Sequence, residues 1–327
     1  AAGAVAPPPA IARARPALEP AVTAPSPRPS DLTRRRTPVL TDRVRTAWRL
    51  TDYQRRLDEA IALPRLARSA TIAVLSPKGG VGKTTITALL GALFALVRAD
   101  RVIAVDTNPD FGTLGRSLSP EHGVFVDDIL DYLEHPALTV TTLDACLGRA
   151  ADGLMVLPTP TDPERMARLD QAAYTRVIER LKALVGIAVL DCGTGLWDPA
   201  TRAAVACADQ LVVVSDDEPA TATVVIEACQ LLRAAGPPVT VVVNRWRRRS
   251  RLDLEAVAAH APGVTGLIVV PEERAGALRV ANGRFSWADA PAAWRVRLRE
   301  LAVLLVSGWE ALGVAAVPSL RGASAAH

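Results

Sequence analysis

The run Thr71-Ile72-Ala73-Val74-Leu75-Ser76-Pro77-Lys78-Gly79-Gly80-Val81-Gly82-Lys83-Thr84-Thr85 decides the fold. Its first half is a short aliphatic, β-branched stretch of the kind that forms a strand buried on both faces. Its second half holds three glycines and leads into an apolar stretch, 86–97, that reads as a helix. Strand, glycine-rich loop and helix in that order predict a phosphate-binding loop. Glycines let backbone N–H groups curl around phosphate oxygens, and the helix N-terminus adds a positive dipole. In such a loop Lys83 reaches the β- and γ-phosphates and the Thr84 hydroxyl ligates Mg²⁺.

The pattern repeats outward from that run. Six more short apolar runs follow at 101–106, 154–158, 187–191, 211–215, 239–244 and 267–270, with helical stretches between them. Alternation of this kind, with strands apolar along their whole length, predicts an α/β fold. The expected architecture is a doubly wound, mostly parallel sheet with right-handed crossovers. Ligands in such sheets bind beyond the carboxyl ends of the strands.

Composition bounds the class. The chain has 327 residues, 50% hydrophobic and 22% charged, which excludes a wholly disordered protein. The longest aliphatic runs, such as Leu301 to Val306, fall far short of the ~20 residues that span a bilayer. There is no charged n-region followed by an apolar h-region, so no signal peptide is expected. Cys146, Cys192, Cys207 and Cys229 form no CxxC pair and sit in apolar contexts, which predicts reduced core thiols and a cytoplasmic location. Only Lys78, Lys83 and Lys182 are lysine; the other 35 basic residues are arginine. A chain that so prefers arginine retains lysine where arginine will not serve, and two of the three lie in the glycine-rich loop.

Charge and composition also divide the chain. Residues 1–69 hold 13 Arg against 6 acids, whereas 70–327 are net acidic. Residues 1–40, with eight Pro in the first thirty positions and Arg34-Arg35-Arg36 near the end, read as a disordered arm. That arm is either a solvated tail or a tether to a protein partner, nucleic acid or anionic lipid. Residues 41–69 read as a helical lead-in from the spacing of Val44, Trp48, Leu57 and Ile61. A capping box at Thr51–Gln54 predicts a second helix starting there, ended by Pro64. Residues 70–313 form the expected main domain and 314–327 a flexible tail. Trp294, Leu298, Leu301, Leu305, Trp309 and Leu312 form an apolar stripe expected to pack as the last core helix rather than to lie on a membrane.

Four further strand ends carry polar groups suited to a nucleotide site. The second ends in Asp106-Thr107-Asn108-Pro109-Asp110, and the fourth in Asp191-Cys192-Gly193-Thr194-Gly195. The sixth ends in Asn244-Arg245 and the seventh in Pro271-Glu272-Glu273-Arg274. The glycine-rich loop departs from the common form at position 77, which is Pro, and matches the deviant form K-G-G-x-G-K-[ST]-[ST]. With that loop and these strand ends in order, the chain resembles the MinD/ParA family of P-loop ATPases over about three quarters of its length. The segments Arg98–Asp106 and Asp191–Arg202, with the Pro/Ala-rich arm, look most like actinobacterial MinD-like ATPases, some of which accompany type VII (ESX) secretion loci.

The resemblance implies roles. ATP and Mg²⁺ are the implied ligands, with Lys78, Gly79, Gly80, Val81, Gly82, Lys83, Thr84 and Thr85 around the phosphates. Thr84, Asp106 and Asp191 would attend the metal, and Gly193 the γ-phosphate. Asn244, Arg245, Pro271 and Glu272 would flank adenine. Lys78 would reach across an ATP-dependent homodimer to the partner's phosphates. Lys78, Lys83, Asp106 and Asn108 are the implied catalytic set. Asn108 stands where the family usually has an acid, and an amide positions water without taking its proton, so slow hydrolysis is expected. Three functional readings stay open. One is an ATP switch acting on a protein partner through the arm or switch face, in secretion, division or partitioning. Another is a nucleotide-dependent scaffold with negligible turnover. The third is a positioner that binds DNA through Arg245–Arg251. Without paired cysteines or a C-terminal tyrosine cluster, the iron–sulfur-carrier and tyrosine-kinase branches are excluded.

Overall fold

The computed structural model describes residues 47–316 apart from 109–111, 113, 119–122, 134–137 and 262. The arm and the start of the lead-in therefore lie outside the described residues. Eight strands form one sheet: β1 (Ala70–Leu75), β2 (Val102–Thr107), β3 (Gly148–Arg149), β4 (Met155–Leu157), β5 (Ile187–Cys192), β6 (Gln210–Ser215), β7 (Val239–Trp246) and β8 (Val264–Pro271). Their order is β3-β4-β2-β5-β1-β6-β7-β8. All neighbours pair in parallel except β3 with β4. The seven expected strands are all present. The eighth, β3, is a two-residue antiparallel edge too short to leave a sequence period.

Two apolar layers cover the sheet. On one face pack α1 (Ala47–Ala62), α2 (Lys83–Val97), α3 (Leu114–Leu118), α11 (Arg274–Ala281) and α12 (Ala292–Ser307). The other carries α4 (Val126–Tyr132), α5 (Val140–Cys146), α6 (Pro163–Met166), α7 (Gln171–Lys182), α8 (Pro199–Cys207), α9 (Pro219–Arg233) and α10 (Leu254–His260). Strands β1, β2, β5 and β6 are buried along their full length, which is why they read as continuous apolar runs rather than alternating ones. The chain winds outward from β1 in both directions. Strands β2 and β5 lie on one side of it, and the β5–β6 connection crosses to the other. The carboxyl end of β1 is thus the topological switch point, where a ligand crevice is expected.

Four expectations need correction. The lead-in is one helix, α1, running straight through Thr51; its apolar side is long enough to dock without a break, so the local capping signal is overridden. Its C-terminal half is pinned twice. Arg299 bridges to Asp58 at 2.7 Å, and the buried Arg98 donates to the carbonyls of Ile61 at 2.6 Å and Pro64 at 2.8 Å. Second, the chain stays packed past residue 313: Val314 and Ala315 are buried, and Ala315 bridges to Leu66. Third, Cys146 at the end of α5 is exposed, whereas the other three cysteines are buried. Burial pushes the Cys192 and Cys229 thiols up to about 12, so neither is a nucleophile. Fourth, the stripe 294–312 belongs only in part to α12, since Trp309 lies past its end; Trp309 stacks on Phe94 in the core all the same.

Candidate functional site

The glycine-rich loop leaves β1 and turns into α2. Gly82 sits at φ 96°, a left-handed conformation that favours glycine, and a Cβ there would meet Asn244 Nδ2 at 2.4 Å. No side chain caps α2, so its first backbone N–H groups are left for an external acceptor. Lys83, in the first turn of α2, is buried. Burial lowers its ammonium pKa, and the Asp191 carboxylate partly counters that.

Strands β2 and β5 bring two carboxylates side by side, because Asp106 and Asp191 are register partners. Both are buried. Asp191 accepts from the hydroxyls of Thr84 at 2.7 Å and Thr87 at 3.1 Å. Asp106 accepts from the backbone N–H groups of Asn108 at 3.0 Å and Leu114 at 3.2 Å. Loss of hydration raises Asp191 to about 6, against the hydrogen bonds from Thr84 and Thr87. Burial, and then the neighbouring Asp191 charge, hold Asp106 well above the usual carboxylate range. Two adjacent buried carboxylates and a hydroxyl form an all-oxygen donor set suited to a hard divalent cation. Mg²⁺ typically takes only one or two carboxylates and completes its shell with water and phosphate oxygens. Accordingly no group of three or more acidic, His or Cys side chains forms a metal cage among the described residues. The chain fits Mg²⁺ with a phosphate partner.

The loops beyond these strands close around the same end of the sheet. Gly112 lies so near Asp106 that a Cβ would stand 2.1 Å from Oδ2, so no larger residue fits against the carboxylate at that position. Gly193 is buried at the end of β5, and Thr194 approaches Gly79 of the glycine-rich loop. Asp198 accepts from Thr201 and caps α8. Asn108 is half-buried and its backbone, as noted, holds Asp106.

Beside the loop an open cleft of about 370 Å³ is lined by Thr85, Asn244, Arg245, Pro271, Glu272 and Leu278, among others. The four residues expected around a base therefore meet in one cleft next to the phosphate loop. Asn244 does a second job that its position in sequence does not reveal: its Nδ2 donates to the Val81 carbonyl at 2.8 Å. Arg245 takes the left-handed region at φ 53°. Trp294 of α12 closes the floor and donates to the Pro271 carbonyl at 3.0 Å.

These strand ends, in this order on this sheet, agree with a family model. The model for the CobQ/CobB/MinD/ParA nucleotide binding domain matches residues 72–285. The chain belongs to the CobQ/CobB/MinD/ParA family. Among solved structures it is similar to a ParA family ATPase from Chlorobium tepidum, with TM-score 0.61 at 18% identity, covering 72% of this chain and 99% of that one. It is also similar to the septum site-determining protein MinD of Pyrococcus horikoshii in complex with Mg-ADP, with TM-score 0.59 at 22% identity, covering 75% of this chain and 97% of that one. By sequence it is 34% identical over 147 residues to the ESX-1 secretion-associated protein EspI of Mycobacterium tuberculosis. That match covers 45% of this chain and only 22% of EspI.

The structure adds to the sequence reading at two places. Lys78, expected to reach a second copy, donates within its own chain to Thr221 Oγ1 at 3.0 Å. The basic cluster is not uniform either. Arg247 binds Asp217 through both its backbone N–H and its guanidinium, and reaches Glu218 as well. Arg245, Arg248, Arg249 and Arg251 are exposed. The contribution of Thr87 was readable, since it lies one helical turn beyond Thr84 and shares its face. Thr221 and Asp217 come from distant sequence and carry no motif.

Proposed function

We propose that this chain is an ATP-dependent molecular switch. It binds ATP with Mg²⁺ at the glycine-rich loop, pairs with a second copy over the bound nucleotides, hydrolyses slowly, and acts on a partner machinery. The observation that carries the reading is the Thr84–Asp191–Asp106 arrangement beside the buried Lys83 and the uncapped start of α2. Thr84, Asp106 and Asp191 would hold Mg²⁺, which supplies charge neutralisation for the developing phosphate oxyanions. Lys83 orients the phosphates. Asn108 orients water through its amide but cannot accept the proton, so positioning does most of the work.

Adenine suits the cleft. Asn244 spends one N–H of its Nδ2 on the Val81 carbonyl, which fixes the amide orientation; its Oδ1 is an acceptor that fits the 6-amino donor of adenine. The partner machinery is inferred from similarity to EspI, whose name associates it with ESX-1 secretion; a type VII secretion assembly is the first candidate. Cell-division and partitioning components are the others, from likeness to MinD and ParA.

Turnover separates the switch from a nucleotide-dependent scaffold. Under the switch reading, Mg-ATP turnover of the wild type is slow but measurable, and Asn108→Asp raises it by about a hundredfold, the lower end of general-base contributions. A wild type with no turnover above background supports the scaffold. A second reading rests on the exposed Arg245, Arg248, Arg249 and Arg251, which, unlike Arg247, are not held by Asp217 and suit a phosphate backbone. It predicts an ATP-dependent gel shift of duplex DNA that weakens steeply with salt; absence of that shift rejects it.

A further inference from the structure

Lys78 is anchored in a way the switch reading leaves unexplained. Its backbone N–H is held by Ser76 Oγ at 3.2 Å, and its ammonium donates to Thr221 Oγ1 at 3.0 Å. Thr221 is fully buried in the first turn of α9, so its hydroxyl is fixed by the helix and cannot follow the lysine. The segment before α9 is fixed in turn: Asp217 is buried and ligated by Arg247, and its carbonyl accepts from Ser250 at 3.3 Å. The acceptor for Lys78 is therefore a rigid point on another element, 143 residues away. A flexible four-carbon stem carrying a compact ammonium would otherwise sample many positions over the exposed loop.

We infer that Thr221 is a positioning residue that parks Lys78 within its own chain, so that the lysine becomes available to a second copy only when this hydrogen bond breaks. The inference rests on the switch reading for its consequence but not for the contact itself. Held on Thr221, the lysine cannot complete a neighbouring site, and pairing of two copies then requires its release. Release costs the hydrogen bond and is offset only when a nucleotide phosphate offers the ammonium a stronger, charge-assisted partner. In this way Thr221 makes pairing depend on nucleotide and limits pairing without it.

The lysine content makes the test direct, because Lys83 is buried and Lys182 is paired with Glu179. The folded, nucleotide-free protein is pulsed with limiting acetic anhydride, and acetylation of Lys78 is read by peptide mass spectrometry against Lys182. Thr221→Val, which keeps the shape and removes the hydroxyl, is expected to raise Lys78 acetylation about fivefold, the effect of losing one ordinary hydrogen bond. Thr221→Ser is expected to match the wild type. In sedimentation without nucleotide, Thr221→Val is expected to pair at about fivefold lower protein concentration than wild type, and this gain is expected to vanish in the Lys78→Ala background. Unchanged Lys78 acetylation in a folded Thr221→Val protein overturns the parking contact. Raised acetylation with unaltered pairing overturns its role in the switch. If instead Lys78→Ala alone leaves ATP-dependent pairing at wild-type strength, the switch reading fails while the acetylation result still decides the contact.

Discussion

Lys78 and Lys83 illustrate what a single residue type reports. In a chain with 35 arginines, a lysine at position 83 is explained by its surroundings: it is buried beside Asp191 at the start of α2, where a compact ammonium on a narrow stem fits and a planar guanidinium does not. The carboxylates next to it make a prediction of their own. With burial raising Asp191 to about 6 from an ordinary value near 3.8, the folded protein holds a proton there that the unfolded chain has already lost. Stability from this group is therefore full below pH ~4 and falls as pH rises through ~6. Asp191→Asn removes that loss. The stability of the metal-free variant relative to wild type, read from its melting temperature, should rise between pH 4 and 7 and level off above it, a gain on the order of 3 kcal/mol. A difference that stays flat with pH would show that Asp191 is not held in an unfavourable charged state. Added Mg-ATP should narrow the gap by stabilising the wild type.

At the scale of elements, legibility follows the range of the interaction. Strand–loop–helix succession, the apolar strand runs and the residues at their carboxyl ends are local, and the structure places them where the sequence suggests. Thr51 shows the limit. Its capping signal is local, yet α1 continues through it, because docking against α2 and α12 outweighs a cap worth about 1 kcal/mol. Arg247 shows it again. Counted along the chain it is one of five cations in a loop; in space it is spent on Asp217 and Glu218, and only the fold reveals the difference. The joint between α1 and the main domain rests on Arg98. Its guanidinium lies 5.2 Å from the Trp309 ring centroid, pairs with Asp100, and donates to two carbonyls at the end of α1. Arg98→Ala should leave those carbonyls and the ring face unpartnered and destabilise the protein by about 2–4 kcal/mol, read by urea denaturation. Early proteolytic release of the lead-in helix should accompany it. Unchanged denaturation would place the joint elsewhere, at Asp58–Arg299.

At the scale of the molecule, one sheet gathers the glycine-rich loop, two in-register carboxylates and an open cleft at its carboxyl edge, and it leaves Lys78 and the exposed Trp197, half of whose surface is solvated, on the segments bordering that edge. No described helix is long and apolar enough to cross a membrane. The proposal makes this edge the face on which two copies meet, with nucleotide setting whether they do. Sedimentation velocity with Mg-ATP, with Mg-ADP and with no nucleotide, on the wild type and on Lys83→Ala, tests that claim most directly. The account predicts a doubled mass for the wild type in Mg-ATP alone, and a monomer for Lys83→Ala under every condition. A wild type that binds Mg-ATP yet stays monomeric, or a Lys83→Ala protein that pairs as the wild type does, would contradict it.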